Sequence, residues 1–357
     1  MWLPVLVAFL AAGAQSFDDV AARAAAARDA NDRPQAIRLY DEGTRLNPQW
    51  AEGWWFLGSL LYDADEYGRA RDAMARCVEL QPGMSPAFGL LGLSEFQTGD
   101  YEHALGHIQR SLQDARLDAD MVRVLRFHEA VLLARTGQFD EALGKYAWFA
   151  GDANPPATLL AAMGIAALRE PLLPAAIPAA RRELFGAAGR TVWRAMGGDE
   201  ARTADAFQKL LGQFPDERGV HALIRVYLHA VPARKAEAAL RSGLDAEPGN
   251  AAAAAMLACV LLKQGDAAGA LPFATKAAEL APRLLLAQYA LGRAMTDTGD
   301  LAHAIDRLVL AVQIDPTDLE SHISLASAYG KAGRTAEARA ERARTIQLAR
   351  KAVHARS

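Results

Sequence analysis

The stretch that decides the fold is Ala287–Asp318, AQYALGRAMTDTGDLAHAIDRLVLAVQIDPTD. It reads as two helices around one turn. Leu291, Gly292 and Met295 share a face of the first helix, by the three- and four-residue spacing of helical periodicity. Thr298-Gly299-Asp300 ends that helix and begins the next, glycine permitting a tight turn and Asp300 supplying an N-cap oxygen. Ala304, Leu308 and Ala311 share a face of the second helix, which Pro316 closes. The pattern fits again, repeatedly, when moved by 34 residues, as from Pro282 to Pro316. A fixed period of this length with two helices per unit describes a solenoid. One hairpin cannot bury its apolar face alone, and stacked neighbours can.

The register holds along the chain. Helix-ending prolines stand at Pro48, Pro82, Pro215, Pro248, Pro282 and Pro316. A small residue recurs in the second helix as Ala36, Ala70, Ala104, Ala142, Thr203, Ala236, Ala270, Ala304 and Ala338. Another recurs in the first helix as Ala24, Gly58, Gly92, Ala130, Gly164, Ala258, Gly292 and Ala326. Small side chains at these two places let paired helices approach closely, while larger residues such as Trp54, Leu57 and Leu61 fill the groove beside them. Ile224 replaces the small residue of its unit, which predicts a looser hairpin there.

The unit at 51–84 carries Trp54, Leu57, Gly58, Leu61, Ala70, Met74, Cys77 and Pro82. Tetratricopeptide repeats place Trp, Leu, Gly, Tyr, Ala, Phe, Ala and Pro at those offsets, and the chain resembles that family over about 17–156 and 184–357. Leu61 departs from the pattern, and the tyrosine returns in register as Tyr227 and Tyr329. The resemblance implies an all-α, right-handed superhelical solenoid of about nine to ten helix-turn-helix repeats, irregular in the middle. It implies a non-catalytic protein-interaction scaffold, and it is weak as to partner, because such repeats serve many.

The expected organisation is a signal peptide at 1–16, a four-repeat block at 17–156, an irregular helical segment at 157–216, and a second four-repeat block at 217–357. Within the irregular segment, Ala157–Arg169 reads as a first helix, but Glu170–Pro178 (EPLLPAAIP) holds three prolines and cannot be a helix interior. Helical sequence resumes near Ala179, and Gly197-Gly198-Asp199 restores the turn. The net charge of −3 gives no global signal for nucleic acid. Lys331–Ser357 nevertheless carries eight Lys/Arg against two Glu, so the last helix is a basic cap, able to make weak contact with an anionic surface.

Catalytic motifs are not found in the sequence: no glycine-rich phosphate loop, no zinc-like cysteine pair, no Gly-x-Ser-x-Gly turn. The chain therefore reads as a non-enzyme with no cofactor and no metal. His103 and His107 share a helix face but lack a third ligand and read as solvated surface residues. Cys77 and Cys259 lie several repeats apart and read as buried, inert thiols.

In the family that the chain resembles, first helices line the concave side of the superhelix. Carrying that offset over gives Trp55, Tyr62, Phe96 and Phe127 in the first block, and His221, Arg225, His229, Lys263, Tyr289 and Arg293 in the second. The implied surface is aromatic in its first half and basic in its second, and suits a peptide or flexible protein segment that is apolar at one end and acidic at the other. Relatives that grip a C-terminal carboxylate use paired Lys and Asn; the matching places here hold Ala21, Ala25, Trp55 and Ser59, so that mode is not expected. The alternatives are an exported chaperone-like or assembly factor for envelope or secreted proteins, and an accessory subunit of an enzyme with its site in the irregular middle.

The chain begins MWLPVLVAFLAAGAQS. Trp2 to Ala12 is an apolar run of signal-peptide length, too short to span a bilayer, and small residues at Ala12, Ala14 and Ser16 suit signal peptidase. No Lys or Arg precedes the run. With an Ala- and Arg-rich composition typical of a GC-rich bacterium, this predicts a periplasmic or secreted protein, a cytoplasmic one being the alternative. Mass spectrometry of the protein from its native host is expected to find an N-terminus near Gln15 to Asp18. An intact Met1 in the soluble cytosolic fraction would rule export out.

Overall fold

In the computed structural model, residues 16–354 are described. The signal-peptide assignment falls outside the described residues, apart from Ser16, whose hydroxyl accepts the Asp19 N–H and caps the first helix. Nineteen α-helices and no strand occur among the described residues. They run α1 (Phe17–Asp29), α2 (Arg33–Leu46), α3 (Ala51–Tyr62), α4 (Tyr67–Leu80), α5 (Ser85–Thr98), α6 (Tyr101–Ser111) and α7 (Ala119–Arg135). Next come α8 (Phe139–Tyr146), α9 (Ala157–Ala167), α10 (Arg182–Met196), α11 (Glu200–Gln213), α12 (Arg218–Ala230) and α13 (Ala233–Ala246). The last six are α14 (Ala251–Lys263), α15 (Ala267–Leu280), α16 (Leu285–Thr298), α17 (Leu301–Ile314), α18 (Leu319–Lys331) and α19 (Thr335–His354). The fold is an all-α helical repeat solenoid. It divides into two compact units, one up to Leu132 and one from Leu133.

In the first unit, α1 to α6 form three hairpins followed by most of α7. The contact faces are the small residues of the repeat: Ala24 against Ala36, Gly58 beside Met74, Gly92 against Ala104 and Ile108, all buried. In the second unit the hairpins α14/α15, α16/α17 and α18/α19 repeat the same arrangement. Gly299 ends α16 at φ +97°, a backbone that favours glycine, and Asp300 accepts the His303 N–H to start α17. Helices α14 and α16 are covered on both sides by neighbours and bury nearly every residue from Ala252 to Ala258 and from Leu285 to Gly292.

The irregular middle has a physical explanation. Glu170–Pro178 is a loop with short 3-10 turns, and it connects two helices that pack more tightly than any repeat pair. A Cβ on Gly164 of α9 would fall 1.9 Å from the Phe185 carbonyl oxygen, and one on Gly189 of α10 would fall 1.8 Å from the Leu160 oxygen. Backbone touches backbone there. The loop is fastened by Arg181, which donates to both Glu170 oxygens at 2.7 Å and to Glu217, just before α12, at 3.2 Å. The opposite case is α12 and α13, which scarcely approach each other, as the looser hairpin predicts.

Gly164→Ala is therefore expected to lower the melting temperature, at a cost of at least the ~1–3 kcal/mol of ordinary overpacking. Gly144→Ala in α8, where the added methyl meets nothing within 4 Å, is expected to be neutral or stabilising by ~0.5–1 kcal/mol. Ala304→Leu, buried, against Ala302→Leu, exposed, is the same contrast within the repeat register. Thermal unfolding by circular dichroism checks both pairs; equal shifts within a pair would show that the helices do not meet at these residues.

Candidate functional site

A recurring latch orients the first helices. The Trp54 indole N–H donates to the Pro48 carbonyl at 3.0 Å, and the Gln288 amide to that of Pro282 at 2.8 Å. His221 Nε2 lies 2.6 Å from the Pro215 oxygen, and His322 Nε2 lies 3.1 Å from that of Pro316. A carbonyl only accepts, so in both histidines this nitrogen carries the proton. Each donor stands six residues after its proline, fixing the entry of a new first helix against the end of the previous hairpin. Phe88 stands at this place after Pro82 and has no donor; Arg110 supplies one from outside at 3.2 Å, its guanidinium 3.9 Å from the centre of the Phe88 ring.

The latch also resets the register. Four residues beyond it stand Gly58, Gly292 and Ala326, the small residues that meet the second helix. Four residues beyond His221 stands Arg225. Pro215 and Pro248 are one residue closer than the pairs around them, so counting back from α14 misplaces α12 by one. An arginine at the contact position cannot let α12 close on α13, and this accounts for their separation.

Arg225 instead turns inward, where its side chain is only 12% exposed. It donates to Asp318 Oδ2 at 2.8 Å and lies 4.4 Å from the centre of the Tyr289 ring. Glu320 Oε2 stands 2.9 Å from Arg225 Nη1 but off the line of its N–H, so Nη1 and Nε lack a well-directed acceptor. Around this arginine is a cavity of about 260 Å³. Its walls are Arg225, Leu228 and His229 of α12, Cys259, Leu262 and Lys263 of α14, Leu286, Tyr289 and Arg293 of α16, and Glu320 of α18. Four successive first helices thus contribute to one pocket.

The charges in it are unevenly matched. Tyr289 donates its hydroxyl to Glu320 at 2.9 Å and accepts from Arg293 Nη1 at 3.0 Å. Burial pushes the Tyr289 hydroxyl up to about 12, so it keeps the proton it donates. His229 Nε2 reaches Glu320 at 3.5 Å. Lys263 donates to the carbonyls of Leu228, His229 and Val231 at 2.9, 2.9 and 3.3 Å, capping the C-terminus of α12. Arg293 makes no direct ion pair among the described residues; Asp297 and Glu320 act on it only from a distance. Burial raises the Cys259 thiol to about 12, which keeps it a neutral wall atom at neutral pH.

Five of the residues expected to form the binding surface therefore meet: Arg225, His229, Lys263, Tyr289 and Arg293. Three expectations need correction. His221 is 4% exposed and serves the Pro215 latch, so it offers nothing to a partner. Lys263 lines the pocket but directs its ammonium to a helix end. Arg225 is an interior ion-pair partner at the floor of the pocket and not an open surface residue.

In the first unit the aromatic candidates do not gather into one pocket. Trp55 packs half-buried on the Met74, Cys77, Ala87 and Leu91 cluster, and Tyr62 wedges between two core clusters with its ring edge on Tyr67. Phe96 and Phe127 both set ring edges against His128. These rings fill gaps between helices. His107 is half-buried and not fully solvated: its Nδ1 pairs at 2.8 Å with the buried Glu95. What the unit offers instead is an open depression among Phe17, Arg28, Tyr40, Trp50 and Glu52. Trp50 plugs it, with Tyr40 stacked on it at 5.5 Å and Gly53 beneath, where a Cβ would fall 2.1 Å from the indole.

A family model described as Tetratricopeptide repeat matches residues 21–85, which take in most of α1 and all of α2 to α4. No curated protein matches the chain. Among solved structures it is similar to YrrB, described as a TPR protein with an unusual peptide-binding site, at 13% identity over 87% of this chain and 91% of that one, TM-score 0.25. It is similar to MamA at 19% identity over 46% and 96% of the two chains, TM-score 0.34. It is also similar to the TPR2AB-domain:pHSP90-complex of yeast Sti1, at 17% identity over 90% and 98%, TM-score 0.32.

The pocket carries a pH signature. Burial alone would raise the Glu320 carboxyl; the Arg225 charge and the bonds from Tyr289 and His229 outweigh it and hold the carboxyl below the usual range. A folded-state pKa below the unfolded one stabilises the fold above about pH 4.3, the ordinary glutamate value, and that stabilisation is lost as pH falls through the folded value. Wild type is therefore expected to lose melting temperature more steeply than Glu320→Gln on acidification below about pH 4.3. Parallel curves would show that Glu320 is not ionised against Arg225.

Proposed function

We propose that the chain is a non-catalytic protein-interaction scaffold whose second unit binds an extended peptide or flexible protein segment through the pocket between α12 and α18. The observation that carries this reading is the convergence of side chains from four successive first helices on one cavity, with Tyr289 as an aromatic wall and Arg293 without a direct ion pair among the described residues. A guanidinium with no direct ion pair, beside a tyrosine, is the kind of anchor that dominates interfaces, and it selects for an acidic group on the segment. The leucines at 228, 262 and 286 supply the apolar part of the contact.

The test is selection from a random-heptapeptide display library on the immobilised protein, followed by measured affinities. Enriched peptides are expected to be acidic, and Arg293→Glu is expected to weaken their binding at least tenfold. Arg344→Glu, exposed on α19, is expected to leave binding unchanged. Arg225→Glu is unsuited to this purpose: a third carboxylate beside Asp318 and Glu320 would unseat α12, and breaking a buried ion pair costs ~3–5 kcal/mol. Peptides without acidic residues, or equal losses in both variants, would place the site elsewhere.

A further inference from the structure

The two carboxylates that meet Arg225 are held very differently. Asp318 is a fixture of the fold: its side chain is 12% exposed, and it accepts from the Ser321 N–H at 2.9 Å and from the Ser321 hydroxyl as the N-cap of α18. Moving it would uncap the helix. Glu320 has no backbone partner. Its side chain is 36% exposed, lies in the first turn of α18 at the wall of the cavity, and is held only by the side chains of Arg225, Tyr289 and His229. A rotamer change releases it without breaking a helix bond. Its hold on Arg225 is also imperfect, since two buried guanidinium nitrogens lack an acceptor in line. Arg293, one hydroxyl away across Tyr289, pairs with no carboxylate among the described residues.

We infer that Glu320 is the pocket's own stand-in for a ligand carboxylate, and that an acidic side chain of the bound segment takes its place between Arg225, Tyr289 and Arg293. The inference rests on the reading of this pocket as a segment-binding site and adds what the segment must displace. Glu320 then acts as a specificity-determining residue. A neutral segment gains nothing by displacing it, because Arg225 would lose a counter-charge. A carboxylate that reaches both arginines replaces one counter-charge with another and pairs a second cation. α12 can accommodate the exchange because it is not closed on α13; its ties to α17 and α18 run through side chains, Arg218 to Asp315 at 3.2 Å being the outermost.

Two probes separate this inference from the reading beneath it: fluorescein-labelled hexaglutamate followed by anisotropy, and free glutarate followed by thermal shift. Glu320→Gln, and Glu320→Ala as a second variant whose melting curve verifies folding, are expected to bind hexaglutamate at least tenfold more tightly than wild type. Adding Arg293→Glu is expected to abolish the gain, and labelled hexaglutamine is expected to show none. Hexaglutamate bound equally by wild type and both variants would overturn the exchange and leave segment binding standing. Glutarate stabilising only the Glu320 variants, with hexaglutamate bound by none, would uphold the anion site and overturn segment binding. Neither probe distinguishing the variants from wild type would overturn the inference.

Discussion

A Cβ at Gly292 would stand 2.6 Å from Leu308 Cγ and 3.0 Å from the Ala304 carbonyl oxygen, so α16 and α17 meet at a separation that only a hydrogen atom permits. Gly58 against Met74 and Gly92 against Ile108 repeat the condition in the other unit. Once two helices are held this closely, their remaining apolar faces point outward from the hairpin and need neighbours. Stacking follows, and the first helices of successive hairpins come side by side. Side chains of several first helices then converge on a common surface, which is how residues as distant in sequence as Arg225 and Glu320 line one cavity. The pocket is a consequence of helix spacing before it is a consequence of its own chemistry.

Where the spacing rule is broken, charge takes over. α12 carries Arg225 where other first helices carry glycine or alanine, and it does not close on α13. A helix denied its partner needs another anchor, and this one has three. The Pro215 carbonyl holds its start through His221, Lys263 caps its end, and Arg225 crosses to Asp318. A buried ion pair is weak evidence for stability, because desolvation consumes most of the attraction and an apolar trio of similar shape would hold as well. What such a pair confers is geometry, since a guanidinium on a tyrosine ring between two carboxylates admits few arrangements.

The repeat, its period and the place of its turns were legible because they depend on residue size and on proline and glycine, which local sequence displays directly. The turn at Thr298-Gly299-Asp300 and the break at Glu170–Pro178 are cases of this. The pocket was legible in part, since Lys263, Tyr289 and Arg293 lie on first helices at the offsets that face inward, and Arg225 is one residue off that register. The rest is hidden by two physical sources. A one-residue shortening between Pro215 and Pro248 shifts the register, so a constant period groups His221 with Tyr289 although it belongs with Gln288. The proline latch would have shown this, for Pro48 to Trp54, Pro215 to His221, Pro282 to Gln288 and Pro316 to His322 all span six residues. The second source is competition: Trp55, Tyr62 and Phe96 have apolar area that a half-filled core claims before any partner can, and periodicity cannot tell a groove from a gap. Asp318 and Glu320 went unnoticed because their importance arises from a contact about ninety residues away in sequence, which no local pattern encodes.

The seam between α12 and α18 is graded in its exposure, and this sets the order in which it can yield. Arg225 and Asp318 are equally buried, so mobile ions screen their attraction little. Glu320 is more open, and His229, at 67% side-chain exposure, is nearly in solvent, where an ion pair contributes ~0–1 kcal/mol and weakens with salt. Loss of the outer contact frees Glu320 on one side while the inner pair keeps α12 in place. The mouth of the pocket can therefore rearrange without the helix leaving. That asymmetry follows from the chemistry of two neighbouring residues in one helix start: an aspartate short enough to cap α18 must stay with the backbone, and a glutamate two residues on is long enough to reach the cavity and has nothing else to hold.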